Sequence, residues 1–455
     1  MEQKRRGVRL VLFPCPLQGH INPMLQLASI LYSKGFSITI IHTRFNSPNS
    51  SNFPHFTFIP IPDGISDLDP NSISLAHLSL LNINCVVPLR DCLLRLLSNH
   101  NITTSSAEAE PIPCLISDAI MHFTQGVADS LNLPRLALRT SSVESFLSFA
   151  AFSVSWQKNC LPDSQLETPV TELPPLIVKD LPMINTFTLD CMYQLLGSMV
   201  DQAKASSGLI WNSFDDLEQS ALATLSQQFP IPVFTIGPFH KLFSASSSSL
   251  LTQDHSCIAW LDTQPPKSVI YVSYGSLVSI DEAEFVEMAW GLANSNCPFL
   301  WVVRSGMFHD SERVGPLWPD GFLETIKGKG CIVEWAPQQD VLAHPAVGGF
   351  WTHNGWNSTL ESICEGVPML CLPCFGDQSM NARLVSHVWM VGLQLENKSE
   401  RGQIERSIRR LMVEKEGEEM RERVASLKEK AEVCVNKGGS SCKSLEDLMA
   451  RILSF

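Results

Sequence analysis

Residues Trp335 to Gln378 read WAPQQDVLAHPAVGGFWTHNGWNSTLESICEGVPMLCLPCFGDQ. Within this run an apolar stretch, Val347 to Thr352, has the length and composition of a buried strand. It breaks at His353-Asn354-Gly355 and passes into a helix-compatible segment opening with Asn357-Ser358-Thr359. A strand that turns into a helix N-terminus offers unpaired backbone N–H groups and the positive end of the helix dipole, so it is a phosphate site. His353, Asn357 and Ser358 are short polar donors at that turn, and Glu361 follows one helical turn later, where a carboxylate can accept from sugar hydroxyls. Trp335 ends a second strand candidate, Cys331 to Trp335, and offers a flat ring to a base. Asp377 and Gln378 close a third, Pro368 to Gly376. In an open parallel sheet the three strand ends share one rim. Ser358-Thr359-Leu360-Glu361 also fits a capping box, so Ser358 and Glu361 can equally be read as finishing a helix start.

At these positions the run resembles the signature box of plant family 1 UDP-glycosyltransferases: Trp335, Gln338, His353, Gly355, Trp356, Asn357, Ser358, Glu361, Pro373, Asp377 and Gln378. The resemblance implies that Trp335 stacks on uracil with Ala336 beside it, and that Gln338 and Glu361 hold the ribose. It implies further that His353, Asn357 and Ser358 hold the phosphates next to Gly355, and that Trp356, Asp377 and Gln378 contact the donor sugar. Asn354 departs from the pattern, which more often has Cys or Ser there.

The whole chain bounds the reading. At 455 residues, with 44% apolar and 17% charged residues and a formal charge of −13, it is a globular protein of two or three domains that disfavours nucleic acid and anionic membranes. A nucleotide ligand must then be held by local dipoles and donors. The 14 cysteines are scattered, and the closest pair, Cys371 and Cys374, falls inside an apolar strand candidate rather than a zinc or redox site, which reads as free thiols in a reducing compartment. The start, MEQKRRGVRLVLFPCP, has too short an apolar run for a signal peptide, and no 18-residue apolar stretch follows, so the expectation is cytoplasmic. A sequon at Asn357, inside the phosphate turn, fits that location, since glycosylation there would block the turn.

From the N-terminus, Val8 to Phe13 reads as a strand, and Asn22-Pro23 as the N-cap and first residue of the helix that follows. His20 is then the end of the intervening loop. Further strand candidates are Phe36 to His42, Phe56 to Ile59, and Pro113 to Ser117, the last ending on Asp118. A right-handed doubly wound sheet orders such strands 3-2-1-4, which brings His20 and Asp118 together at the switch point. A histidine backed by an aspartate is an oriented general base. A capping histidine and an exposed strand-end aspartate are the plain alternatives. In the resemblance these positions match the catalytic histidine and its aspartate, and Thr140, after the strand candidate Arg135 to Leu138, matches a hydroxyl near the sugar.

Phe243 to Leu250, rich in serine, marks a linker and a boundary near residue 245. Beyond it strand–helix alternation restarts, with Ser276 after the strand candidate Ser268 to Tyr274; by resemblance Ser276 donates to a phosphate, and a simple turn serine is the alternative. The fold expected is α/β of the GT-B type: a domain 1–245 that binds the acceptor and carries the histidine, and a domain 246–455 that binds the UDP-sugar. The two would face each other across a cleft, with the terminal helix packing back on the first domain.

No GxGxxG, GxxxxGK[ST] or GxSxG stands where its chemistry needs it, and Asp67-Leu68-Asp69 lies in a loop rather than at a strand end. No metal and no cofactor is expected beyond UDP-glucose as co-substrate, and the partners are that donor and a small acceptor, taken up by a monomer. His42 to Asn46, Ser51 to Phe56 and the linker serines are similar to a plant subgroup that glucosylates small hydroxy acids, phenolic acids, cytokinins or terpenoid glycosides. The resemblance points to inverting O-glucosyl transfer, with a hydroxy or phenolic acid first among acceptors. A non-catalytic nucleotide-sugar binding protein is the competing class.

Overall fold

A computed structural model describes residues 7–68, 73–99, 110–155, 167–170, 174, 176–181, 189–243, 249–304, 306–308, 318–395 and 400–455. The chain forms two compact units. The first comprises 1–160, 184–250 and 433–455, the second 161–183 and 251–432. A single boundary near residue 245 therefore does not divide the chain: Leu161–Met183 belongs with the second unit and Val433–Phe455 with the first. Linker residues 244–248 and Asp69 lie outside the described residues.

Seven parallel strands make the sheet of the first unit: β1 Arg9–Phe13, β2 Ser37–Thr43, β3 Thr57–Ile61, β4 Leu115–Asp118, β5 Arg135–Arg139, β6 Leu209–Trp211 and β7 Val233–Thr235. Their order is β3-β2-β1-β4-β5-β6-β7. Leu10, Leu12, Ile38, Ile40, Ile116, Leu136 and Leu138 are fully buried, as expected of strands covered by helices on both faces. Leu445, Leu448, Met449 and Ile452, from the helix Ser440–Ile452, complete the same core.

The second unit has six parallel strands: β8 Val269–Ser273, β9 Phe299–Val302, β10 Gly330–Val333, β11 Val347–Thr352, β12 Met369–Cys371 and β13 Gly392–Gln394. The order is β10-β9-β8-β11-β12-β13, so its switch point falls between β8 and β11. β13, three residues long, is not among the strands the sequence predicts. Trp301 and Trp351 are fully buried in this core, with Phe285 stacked on Trp301 at 4.9 Å between centroids.

Candidate active site

In the first unit, β1 and β4 are adjacent, with Phe13 opposite Ser117. The helix after β1 starts at Gln18, four residues before the expected cap. Leu17 is its N-cap residue, its carbonyl accepting from Ile21 N–H at 2.8 Å, and Pro23 stands inside the helix. There it costs one early backbone bond. Asn22 caps nothing: its Oδ1 accepts from Gln18 Nε2 at 3.0 Å, while Gln18 Oε1 accepts from the Leu250 N–H at 2.8 Å. His20 is thus held in the first turn of a helix rather than at the end of a loop.

Asp118, the last residue of β4, is 1% exposed, and its Oδ2 lies 2.7 Å from His20 Nδ1. Its other oxygen accepts from the Ile120 N–H at 3.0 Å. Burial alone would raise the Asp118 carboxyl, but His20, the Ile120 N–H and Arg139 together outweigh it and hold the group below its usual range. An ionised carboxylate at 2.7 Å fixes the proton on Nδ1, so Nε2 carries the free lone pair. Thr140 Oγ1, just past β5, stands 3.0 Å from the same Nδ1, so in this unit it meets the histidine. Arg135 supports the carboxylate from behind: wholly buried, it donates from Nε to Ser117 Oγ at 2.7 Å and from Nη2 to the Asp118 carbonyl at 3.4 Å. No spacing in the sequence announces Arg135, because its contacts are made across strands.

In the second unit, β11 ends at Thr352 as expected, and the helix Trp356–Glu365 follows. Its N-cap residue is Gly355, which has no side chain with which to cap the helix's first turn. The capping-box reading is overturned: Ser358 and Glu361 lie inside the helix, and both accept from Gln338 Nε2, at 3.0 and 2.7 Å. Gln338 begins the helix Gln338–Ala343, and Gln339 Nε2 adds 2.9 Å to the other Glu361 oxygen. Burial pushes the Glu361 carboxyl up, and the two amides pull it partly back.

His353 sits between two glycines. A Cβ on Gly355 would fall 2.6 Å from its Nε2, and one on Gly275 would fall 2.8 Å from its Cε1 and Nε2. Gly275 has φ +69°, a backbone that side chains other than glycine's adopt at a cost. Burial lowers the imidazole to about 4, so the ring is neutral near pH 7. Its Nδ1 is buried and has no hydrogen-bond partner among the described residues. Asn354, where the chain departs from the box pattern, has φ +62°, and asparagine tolerates the left-handed region. It is fully buried, donating to Cys371 Sγ at 3.2 Å and accepting on its carbonyl from Asn381 Nδ2 at 3.0 Å.

Asn381 Nδ2 also reaches Asp377 Oδ2 at 3.1 Å. Gln378 is 4% exposed, its Oε1 accepting from Cys374 and Phe375 N–H at 2.8 and 3.0 Å. Its carbonyl oxygen therefore shapes the loop, leaving the amide N–H₂ as the donating end. Trp356 is buried, and Asn357 lies next to it in the helix's first turn. Trp335 is half-exposed, two residues beyond the end of β10 rather than at it; its carbonyl accepts from the Asp254 N–H at 2.8 Å, and Ala336 is buried beside it. Ser276 is half-exposed in the turn after β8. Arg304, just past β9, went unremarked in the sequence: it is 5% exposed and donates from Nε to the Gly275 carbonyl at 3.2 Å. Among the described residues no group of three His, Cys, Asp or Glu gathers as a metal site, and no helix is long and apolar enough to cross a membrane.

Two parallel sheets of this order, each with polar groups gathered at its switch point, make a doubly wound α/β protein of GT-B architecture. Residues 70–429 match the family model described as UDP-glucoronosyl and UDP-glucosyl transferase. The chain is 50% identical over 459 residues to UDP-glycosyltransferase 76B1 of Arabidopsis thaliana, covering all of both proteins. It is 43% identical over 459 residues to flavonol 3-O-glucosyltransferase UGT76E12 of the same plant, covering 99% of this chain and 98% of that protein. Its fold matches the structure of Phytolacca americana UGT2 complexed with UDP-2fluoro-glucose and pterostilbene, with a TM-score of 0.82 at 28% identity over 98% of this chain and 99% of that one. The chain belongs to the UDP-glucuronosyl and UDP-glucosyl transferase family and is a UDP-glycosyltransferase.

Proposed function

We propose that this enzyme is an inverting O-glucosyltransferase that moves glucose from UDP-glucose to a hydroxyl of a small plant metabolite, a hydroxy acid or phenolic acid. The observation that carries the reading is the 2.7 Å contact of His20 Nδ1 with the buried Asp118 carboxylate. That contact leaves His20 Nε2 as a base. It takes the acceptor hydroxyl proton as the oxygen bonds to the anomeric carbon, the carbon–phosphate oxygen bond breaks, and UDP departs with the electron pair. Attack opposite the leaving group turns an α-linked donor into a β-glucoside. Asp118 stabilises the imidazolium that results.

In the second unit the start of the helix Trp356–Glu365, with His353, Asn357, Ser358 and Ser276, would receive the diphosphate, and Gln338 and Glu361 the ribose. Trp335 and Ala336 would hold uracil, and Trp356, Asp377 and Gln378 the glucose. Thr140, bonded to the histidine, would stand near the sugar being transferred. No metal is required in this scheme. Two relatives support glucose and an oxygen acceptor: one is named a flavonol 3-O-glucosyltransferase, and one was solved with UDP-2fluoro-glucose.

A mass-spectrometric screen tests the reading, pairing UDP-glucose, UDP-galactose and UDP-glucuronate with hydroxy acids, phenolic acids, cytokinins and terpenoid glycosides. Highest kcat/KM with UDP-glucose, and a β-linked O-glucoside of an acid, is expected. Preferred turnover of another sugar, an α-linked product or N-glucosides alone would refute it.

A further inference from the structure

The diphosphate turn needs positive potential in a chain whose formal charge is −13. Among the described residues of the second unit, Arg304 is a cation whose contacts lead directly to that turn. Its Nε donates to the Gly275 carbonyl at 3.2 Å and its Nη2 to the Val278 carbonyl, so one planar guanidinium closes both ends of the segment bearing Ser276. The same segment packs on His353, since a Cβ at Gly275 would sit 2.8 Å from the imidazole. The guanidinium also acts electrostatically on that ring, favouring its neutral form. With only 5% of its surface in water, Arg304 holds its charge in a setting where an approaching anion is felt strongly.

We propose that Arg304 is a positioning residue of the donor site: it fixes the Gly275–Val278 turn and supplies the fixed positive charge that a nucleotide diphosphate meets there. This rests on the diphosphate reading given above, and it assigns a share of UDP affinity to charge rather than to shape. The neighbouring His353 contributes hydrogen bonding but no charge near pH 7.

Calorimetric titration of the full-length wild type, Arg304→Gln and Arg304→Lys with UDP, UMP and uridine separates the two contributions. Arg304→Gln should weaken UDP about ten- to a hundredfold, UMP less, and uridine by under about twofold, a within-error change. Arg304→Lys should keep most of the wild-type ratio of UDP to uridine affinity, because the charge survives while the bidentate grip on the turn does not. Equal weakening of UDP and uridine in Arg304→Gln, or a collapsed ratio in Arg304→Lys, would overturn the charge role; unchanged UDP affinity in both would overturn the proposal entirely. If Arg304→Gln does not fold, the Arg304→Lys ratio alone decides. Failure of the underlying reading looks different: the wild type itself would bind uridine as tightly as UDP.

Discussion

Replacing Asp118 by asparagine changes one atom and should disable the base. In the wild type, Oδ2 accepts the His20 Nδ1 proton at 2.7 Å while Oδ1 accepts from the Ile120 N–H at 3.0 Å. The backbone N–H keeps the asparagine oxygen on its side, so the amide N–H₂ faces Nδ1. Two donors cannot share that contact, and the imidazole must move its proton to Nε2. Thr140 Oγ1, 3.0 Å away, can donate to the bared Nδ1 and reinforce the wrong tautomer. With Nε2 protonated there is no lone pair for the acceptor proton, and the loss is the whole general-base contribution, about 100- to 10,000-fold in kcat. The carboxylate's stabilisation of the imidazolium vanishes with it: about 4 kcal/mol for unit charges 4 Å apart at an effective dielectric of 20, or roughly a thousandfold. That figure lies inside the same range, because it describes the same contact. Initial-rate UDP release with a phenolic acid acceptor measures the effect, and UDP affinity should hold. His20→Ala and the double variant should fall no further than about as low as Asp118→Asn, since the two residues act as one unit. An Asp118→Asn enzyme within threefold of wild type, or a double variant whose loss is the product of the single losses, would refute the reasoning.

Gly275→Ala places a Cβ 2.8 Å from His353 and strains a φ of +69°, so UDP should bind about tenfold more weakly, by roughly 1–2 kcal/mol; an unchanged titration would remove this turn from the donor site. Asp63 is fully buried and accepts from Phe45 N–H at 2.8 Å, Ile65 N–H at 2.9 Å and Ser66 Oγ at 2.8 Å. Asp63→Ala should therefore cost about 2–4 kcal/mol in thermal unfolding. Burial alone would raise the Asp63 carboxyl, yet its hydrogen bonds hold it below the usual range. Its stabilisation is thus present above that range and lost as pH falls through it, so the Tm gap between wild type and variant should close in acid. Glu218 behaves oppositely: burial raises it to about 7 while it accepts from Val143 N–H at 2.7 Å and Ser213 Oγ at 2.5 Å. The folded state then binds more protons than the unfolded one between about pH 4.5 and 7, and stability falls as pH rises through that window. Glu218→Gln should flatten this slope and raise Tm at pH 8; a slope as steep as the wild type's would show that another group carries it.

What the sequence revealed was whatever rests on long apolar runs and on the order of connection. Val347 to Thr352 is a strand to the residue, and the placement of Asp118 beside His20 follows from handedness and strand order alone. Local punctuation misled where the backbone had another way to cap itself. Asn22-Pro23 looks like a helix start, but Leu17 opens the helix through its carbonyl and leaves Asn22 to bind Gln18. Ser358 to Glu361 looks like a capping box, but Gly355 sets the start and Gln338, 20 residues upstream of Ser358, claims both side chains. Arg304 and Arg135 were illegible for a further reason: each is a cation in an apolar strand context, and its meaning lies in carbonyls that only the folded sheet brings within reach.

The way the chain threads its two units constrains any attempt to shuffle them between relatives. A fragment ending near residue 250 lacks Leu445, Leu448, Met449 and Ile452, four side chains worth about 1.5–3 kcal/mol each in the first core. A fragment beginning there lacks Leu161–Met183, from which Asp180 pairs with Arg383 at 2.9 Å on the helix headed by Gln378. Chimeras joined once at the linker would inherit mismatched halves twice over. A recombinant that exchanges the first unit cleanly must carry its own carboxyl-terminal helix and leave residues 161–183 with the second unit.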